Sequence, residues 1–267
     1  MKLLTWPQDD IHNMKENVTK ITLNERIGED AVRIRFVVDW DSFEPGQFVM
    51  VEAPGGEVFL RRPFGIVRVA KGEAEICVKI VGKGTAALAK ASVGAPLRAI
   101  GPCGKGFRLP DKGKTAVLVA GGYGIGPLFG MCEALKKSGI DAILYYGAKT
   151  KTHLLYMDEL KRTGANVVVS TEDGSSGEKG MITDVLKKLI SGVKDPALFS
   201  CGPHGLLTAV AKIGMDIGAA TQVSMETYMA CGMGVCMGCV CRDAKGDFVR
   251  VCREGPVFDA KDLKWDK

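Results

Sequence analysis

The chain has 267 residues, 46% of them hydrophobic and 25% charged, which exceeds the usual size of one domain and leaves ample material for real cores. Its net charge of +5 is spread along the sequence without a basic block or interleaved aromatics, which argues against nucleic acid as a partner. No run reaches the ~18 apolar residues of a membrane span, and nine cysteines without a secretory signal point to reduced thiols in the cytoplasm.

The opening "MKLLTWPQDD" offers one lysine and a short apolar run before two acids, too little for the apolar stretch of a signal peptide. Residues 1–16 read as an N-terminal extension with no assigned role. From 17 to about 100, the runs "VRIRFVVDW", "GQFVMVEAP", "FGIVRVA" and "AEICVKIVG" alternate apolar and polar residues between Gly, Pro and Asp. That period predicts antiparallel strands of a barrel or sandwich, an all-β first domain over 1–108. Within it, "FLRRPFGIV" carries Arg61 and Arg62, of which Arg62 suits a diphosphate while Phe64 suits the side of a flat ring. A glycine-rich turn, "KIVGKGTAAL", precedes a predicted helix over "TAALAKAS".

A Gly-, Pro- and Lys-rich linker over 104–114 ends this region. Beyond it "TAVLVA", "AILYYG", "NVVVS" and "ALFSCG" are continuous apolar runs, as in parallel strands buried on both faces. The stretches "PLFGMCEALKKSG", "MITDVLKKLIS" and "HGLLTAVAKIG" alternate with them as helices. The pattern predicts a doubly wound α/β nucleotide domain over 109–221, with ligands at the carboxyl ends of its strands. There, "GGYGIGP" places Gly121, Gly122, Gly124 and Gly126 before a helix expected to start at Pro127. Such glycines let a phosphate approach backbone N–H groups, although the spacing is not G-x-G-x-x-G. At the end of the last such strand, Cys201, Gly202 and Pro203 form an edge where a nicotinamide would lie, or Cys201 is simply buried. His12 and His153 have no evident acid partner in sequence, and His204 reads as a helix-start residue. Lys149 and Lys151 leave NAD against NADP open.

Residues 222–267 have no sustained period and hold five of the nine cysteines. Cys231-x4-Cys236-x2-Cys239, followed by Cys252 after twelve residues, has the plant-type ferredoxin spacing and reads as a [2Fe–2S] centre. Structural zinc is the alternative, though it more commonly uses two Cys-x2-Cys halves. Gly232, Gly234 and Gly238 suit a loop that aims N–H groups at sulfur, and "DFVRVC" reads as a hairpin return. Cys241 would point away from Cys239, while Cys77, Cys103 and Cys132 read as packing residues.

In this order, "RRPFGI", "GKGT", "GGYGIGPL", "CGP" and the cysteine run resemble the ferredoxin-reductase-like family, specifically the electron-transfer subunit of the two-subunit, NAD-linked dihydroorotate dehydrogenase, over about 17–260. The resemblance implies FAD held by Arg62, Pro63, Phe64 and Gly65, with Lys79, Gly82, Lys83, Gly84 and Thr85. Gly65 departs from the family's Ser or Thr and removes a hydroxyl that would face the flavin. It implies NAD across Gly121 to Pro127 and the Cys201-Gly202-Pro203 edge, with Cys201 near the flavin and Glu226 near the flavin or the subunit interface. It further implies a cytoplasmic heterotetramer with an FMN-binding catalytic subunit that oxidises dihydroorotate in pyrimidine biosynthesis. Electrons would cross to the cluster, then FAD, then NAD⁺. Two other readings share parts of this pattern: a subunit of a sulfide dehydrogenase or NADH-dependent ferredoxin:NADP⁺ oxidoreductase, and a zinc-stapled, non-catalytic nucleotide sensor.

Overall fold

In β2 (Ala31–Val37), Val32, Ile34 and Phe36 alternate with half-exposed arginines, the pattern of a strand with one face in a core. A computed structural model of the chain describes residues 14–265 except 41 and 57, so most of the expected N-terminal extension, with His12, lies outside the described residues. The strands are β1 (Lys15–Arg26), β2, β3 (Phe48–Val51), β4 (Arg62–Ala70) and β5 (Glu73–Lys79), with α1 (Lys83–Lys90) before β6 (Pro96–Cys103). They close into an antiparallel barrel in the order β1-β2-β5-β4-β3-β6. Ile34, Phe36, Ile66 and Ile76 fill its interior, each worth roughly 1.5–3 kcal/mol relative to exposure.

The second layer system runs β7 (Thr115–Gly121), α2 (Ile125–Lys137), β8 (Ala142–Ala148), α3 (Met157–Thr163), β9 (Asn166–Thr171), β10 (Glu178–Lys179), α4 (Ile182–Leu189), β11 (Pro196–Cys201), α5 (His204–Asp216) and β12 (Thr221–Ser224). Its sheet order is β10-β9-β8-β7-β11-β12, all parallel. Within β7, Val117 and Val119 enter one core while Leu118 and Ala120 enter the other, which is why the run is apolar throughout.

The tail supplies β13 (Val240–Arg242), β14 (Phe248–Arg250) and β15 (Val257–Asp259). β13 and β14 pair as the hairpin that the sequence suggests. β15 joins the large sheet antiparallel to β12, with Val223 opposite Phe258, so the expected boundary between 221 and 222 falls inside β12. Two further details differ from expectation. α2 begins at Ile125 rather than Pro127, because Gly122–Gly124 already form a tight helical turn that feeds into it. α3 is a seven-residue helix with only Leu160 and Thr163 buried, too polar and short to show a period. Among the described residues, no helix is long and apolar enough to cross a membrane.

Candidate cofactor cavity and cysteine centre

Between barrel and sheet lies a cavity of about 830 Å³ whose walls come from β4, β5, the turn after β7, the carboxyl ends of β8, β9 and β11, and residues 224–227 with Met229. Arg62, Pro63, Phe64, Gly65, Lys79 and Thr85 line it from the barrel side. Gly121, Gly122, Gly124, Gly126, Pro127, Cys201, Gly202 and Pro203 line it from the sheet side, and Glu226 from the tail. Gly82 and Lys83 stand exposed beside it without lining it.

Arg62 and the "GKGT" turn are brought together: a Cβ on Gly84 would lie 2.7 Å from Arg62 Nε. Thr85 spends its hydroxyl on its own helix start, where Oγ1 accepts from the N–H of Val81 at 2.9 Å and of Gly82 at 3.1 Å. The first N–H groups of α1 therefore sit beside a guanidinium, an arrangement suited to a diphosphate.

The glycines of the β7 turn are needed mainly for packing. A Cβ on Gly124 would strike the Cys201 carbonyl oxygen at 2.1 Å, and one on Gly121 would meet Pro203 Cδ at 2.9 Å. Gly122 has φ +53° and faces open space, so it is the glycine whose conformation the turn itself requires. Cys201 is 1% exposed, and burial together with the nearby Glu226 charge keeps its thiol protonated. Glu226 stands at the rim, where the surrounding walls desolvate its carboxyl and raise its pKa although part of the side chain reaches the surface.

Sequence reasoning misses a polar cluster in the same wall. The Tyr123 hydroxyl donates to Asp30, Lys79 Nζ lies 4.7 Å above the Tyr123 ring, and His153 Nε2 is 3.9 Å from Asp30 Oδ1. Burial and the Asp30 carboxylate push the Tyr123 phenol up. His153 thus has an acid beside it, but 123 positions away in sequence, where no local signal reveals it. His204 instead packs against Trp265, with ring centroids 6.0 Å apart.

Beyond the cavity wall, the loop after Met229 carries Cys231, Cys236 and Cys239, and the turn after β14 returns Cys252 to it. Cys231 and Cys236 are in contact with each other, and so are Cys239 and Cys252. Among the described residues, no three His, Cys, Asp or Glu converge on a single cation position. Backbone N–H groups point at the sulfurs: Met233 and Cys236 to Cys231 at 3.4 Å, Gly238 to Cys236 at 3.4 Å, and Gly234 to Cys252 at 3.1 Å. Partial burial works against the Cys231 thiolate, yet these N–H groups prevail and bring its pKa down to about 7. Burial and the Cys239 thiol raise Cys252. Cys239 and Cys252 are buried, Cys231 is half-buried and Cys236 exposed, so the centre has an inner and an outer pair. Two pairs of thiols with converging N–H donors fit a cluster of two bridged irons. Cys241, half-buried on β13, packs against a core of the large sheet and against the small core of Met50, Cys103 and Val251 around the inner thiols. Cys103 and Cys132 are buried, Cys77 lines the cavity, and burial pushes all three thiols to about 12.

Residues 226–264 match the iron–sulfur cluster binding domain of dihydroorotate dehydrogenase B, and 118–212 match the oxidoreductase NAD-binding domain. The dihydroorotate dehydrogenase B (NAD(+)) electron transfer subunit of Fusobacterium nucleatum is 36% identical over 94% of this chain and 99% of that protein. The chain belongs to this family. A probable member from Archaeoglobus fulgidus is 36% identical over 92% of this chain and 99% of its own length. Among solved structures, an NADH-dependent reduced ferredoxin-NADP oxidoreductase superposes with a TM-score of 0.85 at 28% identity, covering 93% of this chain and 90% of that one. The FAD/NAD-binding domain of a Vibrio cholerae nitric oxide dioxygenase shares the fold, with a TM-score of 0.67 at 19% identity. Membership makes the chain an oxidoreductase subunit that transfers electrons.

Proposed function

We propose that this subunit passes electrons between a [2Fe–2S] centre and NAD through FAD, and that its partner is an FMN-bearing subunit that oxidises dihydroorotate. The observation that carries this reading is continuity: Met225, Glu226, Thr227 and Met229 line the cavity, and the chain enters the thiol loop two residues later at Cys231. When bound, FAD supplies the exchange between the two-electron chemistry of a nicotinamide and the single-electron chemistry of iron.

Arg62 and the start of α1 bind the flavin's diphosphate, while Pro63, Phe64, Gly65 and Lys79 orient its ring. Gly122, Pro127 and the Cys201-Gly202-Pro203 edge receive the nicotinamide nucleotide, and Cys231, Cys236, Cys239 and Cys252 ligate the irons. Cys201 stays protonated beside that site. Tyr228, 95% exposed, with Met233, Val235 and Met237 forms an apolar fringe around the outer thiols. A partner covering it would dry the path for electrons. The free thiols suit a reducing compartment, so we place the protein in the cytoplasm; an assembly with two copies of each subunit rests on the family resemblance alone.

Anaerobically purified protein should show flavin and iron–sulfur absorption, contain acid-labile sulfide, and give a two-iron paramagnetic signal on addition of NADH. Colourless protein with stoichiometric zinc rejects the reading. The likeness to the ferredoxin-NADP oxidoreductase favours a second one, in which the partner carries further iron–sulfur clusters. Co-purification with an FMN subunit and dihydroorotate-dependent reduction of NAD⁺ decide for the first.

A further inference from the structure

Gly234 lies inside the thiol loop and is held by its surroundings in several ways at once. Its φ is +80°, and a Cβ there would fall 2.8 Å from Arg253 Cδ, so the backbone approaches the Arg253 stem more closely than any side chain permits. Its N–H donates to Cys252 Sγ at 3.1 Å. Its carbonyl accepts from Arg250 Nη1 at 2.8 Å. The rest of the Arg250 fork is taken by Glu254: Nε donates to Oε2 at 3.0 Å, Nη2 donates to Oε1, and the Arg250 backbone N–H also reaches Oε2 at 2.7 Å. A backbone bond from Glu254 N–H to the Arg250 carbonyl, at 2.9 Å, closes the turn between them. Cys252 sits inside that turn.

Resting on the proposed [2Fe–2S] centre, we infer that Arg250 and Glu254 are positioning residues that clamp Gly234 so that its N–H stays on the Cys252 sulfur, and thereby hold up the reduction potential of the centre. The physical chain is short. A reduced cluster carries one more negative charge than the oxidised one, and an N–H aimed at a ligand sulfur stabilises that charge. The N–H keeps its aim only while the loop backbone is fixed. The planar guanidinium fixes it because one group can hold a carbonyl and a carboxylate in a set geometry, which a lysine ammonium cannot reproduce. Glu254 in turn keeps the fork from swinging into solvent.

Simple electrostatics makes a different prediction, and this separates the two accounts. If only the field mattered, Arg250→Lys would leave the centre unchanged, and Glu254→Gln, which removes a nearby negative charge, would raise its potential. A clamp predicts that both lower it. The test is a redox titration of the loaded protein, followed by the two-iron paramagnetic signal and visible circular dichroism. Variants are Arg250→Lys, Arg250→Met and Glu254→Gln, with Arg242→Met as control because its Nη1 holds the Gly246 carbonyl in the turn of the hairpin.

All three clamp variants should favour the oxidised form about tenfold at fixed potential, which is about 59 mV for a one-electron centre, and alter the dichroism. The control should match wild type. If Arg250→Met sheds its cluster, the near-isosteric Glu254→Gln still gives the sign. A raised potential in Glu254→Gln, or wild-type behaviour in Arg250→Lys, overturns the clamp alone. A wild-type protein that gives no two-iron signal overturns the functional reading and the clamp with it.

Discussion

Gly65 of β4 lies against Pro127 of α2, where a side-chain carbon at position 65 would meet the proline ring at 2.6 Å. The barrel and the nucleotide-binding layer therefore touch at a position where the family's pattern carries a Ser or Thr. Gly65 lies outside the left-handed region, so the residue is required by space and not by backbone conformation. Gly65→Ser should cost about 1–3 kcal/mol by overpacking and weaken flavin retention. Adding Pro127→Ala, which removes the colliding ring carbons, should recover much of the loss. Thermal melts of the single and double variants, read with flavin content, check this.

The four thiols proposed as ligands should separate cleanly from the fifth cysteine of the tail. Cys231→Ser or Cys236→Ser should lose nearly all acid-labile sulfide while the flavin and NADH-binding regions stay folded. Cys241→Ser should keep its cluster and lose about 1 kcal/mol of stability from packing. Full cluster content in Cys231→Ser would refute the ligand assignment.

Arg33 of β2 reaches across to Glu159 of α3 with Nη2 2.8 Å from Oε1, tying the barrel to the α/β layers. Burial works against the Glu159 carboxylate, but the guanidinium prevails and holds its pKa below the usual value. A depressed folded pKa contributes stability above the unfolded pKa and loses it as pH falls through the folded one. Glu159→Gln should therefore destabilise by about 1–2 kcal/mol at neutral pH. The difference should shrink below the ordinary glutamate pKa of about 4.3 and vanish in stronger acid. Denaturant titrations at pH 7 and pH 3 measure it.

In protein stripped of iron, Cys231 should react with iodoacetamide about tenfold faster at pH 8 than at pH 6, because its pKa near 7 lies between them. Cys103 and Cys132, held near 12 by burial, should stay unlabelled at both. Peptide mapping after timed alkylation reads the two classes directly.

Much of this architecture is legible before folding is considered. The strands β2, β4 and β5 announce themselves because alternate residues face the barrel core, and β3, β7, β8, β9 and β11 because both faces are covered. β1 does not, since Ile21 is its one residue in the barrel core, and its place is set by pairing with β2 and β6. β6 mixes Leu97 and Ala99 with Pro96, Gly101 and Pro102, and local composition there reads as turn. The cysteine spacing stands out as a linear pattern because the three nearest thiols lie in one loop. Arg62 beside Gly84 does not, because the two residues meet only after the barrel closes.

The sequence alone determined which residue types stand at which intervals, and intervals suffice wherever chemistry is local: a thiol loop, a helix start, a strand that alternates. Tertiary structure decided what depends on distance through space. It put Asp30 beside His153, backed Gly65 with Pro127, ran β15 into the large sheet, and set Arg250 and Glu254 around Gly234. Each of these arises from the packing of surfaces contributed by separate elements, and no periodicity along the chain encodes which surfaces will meet.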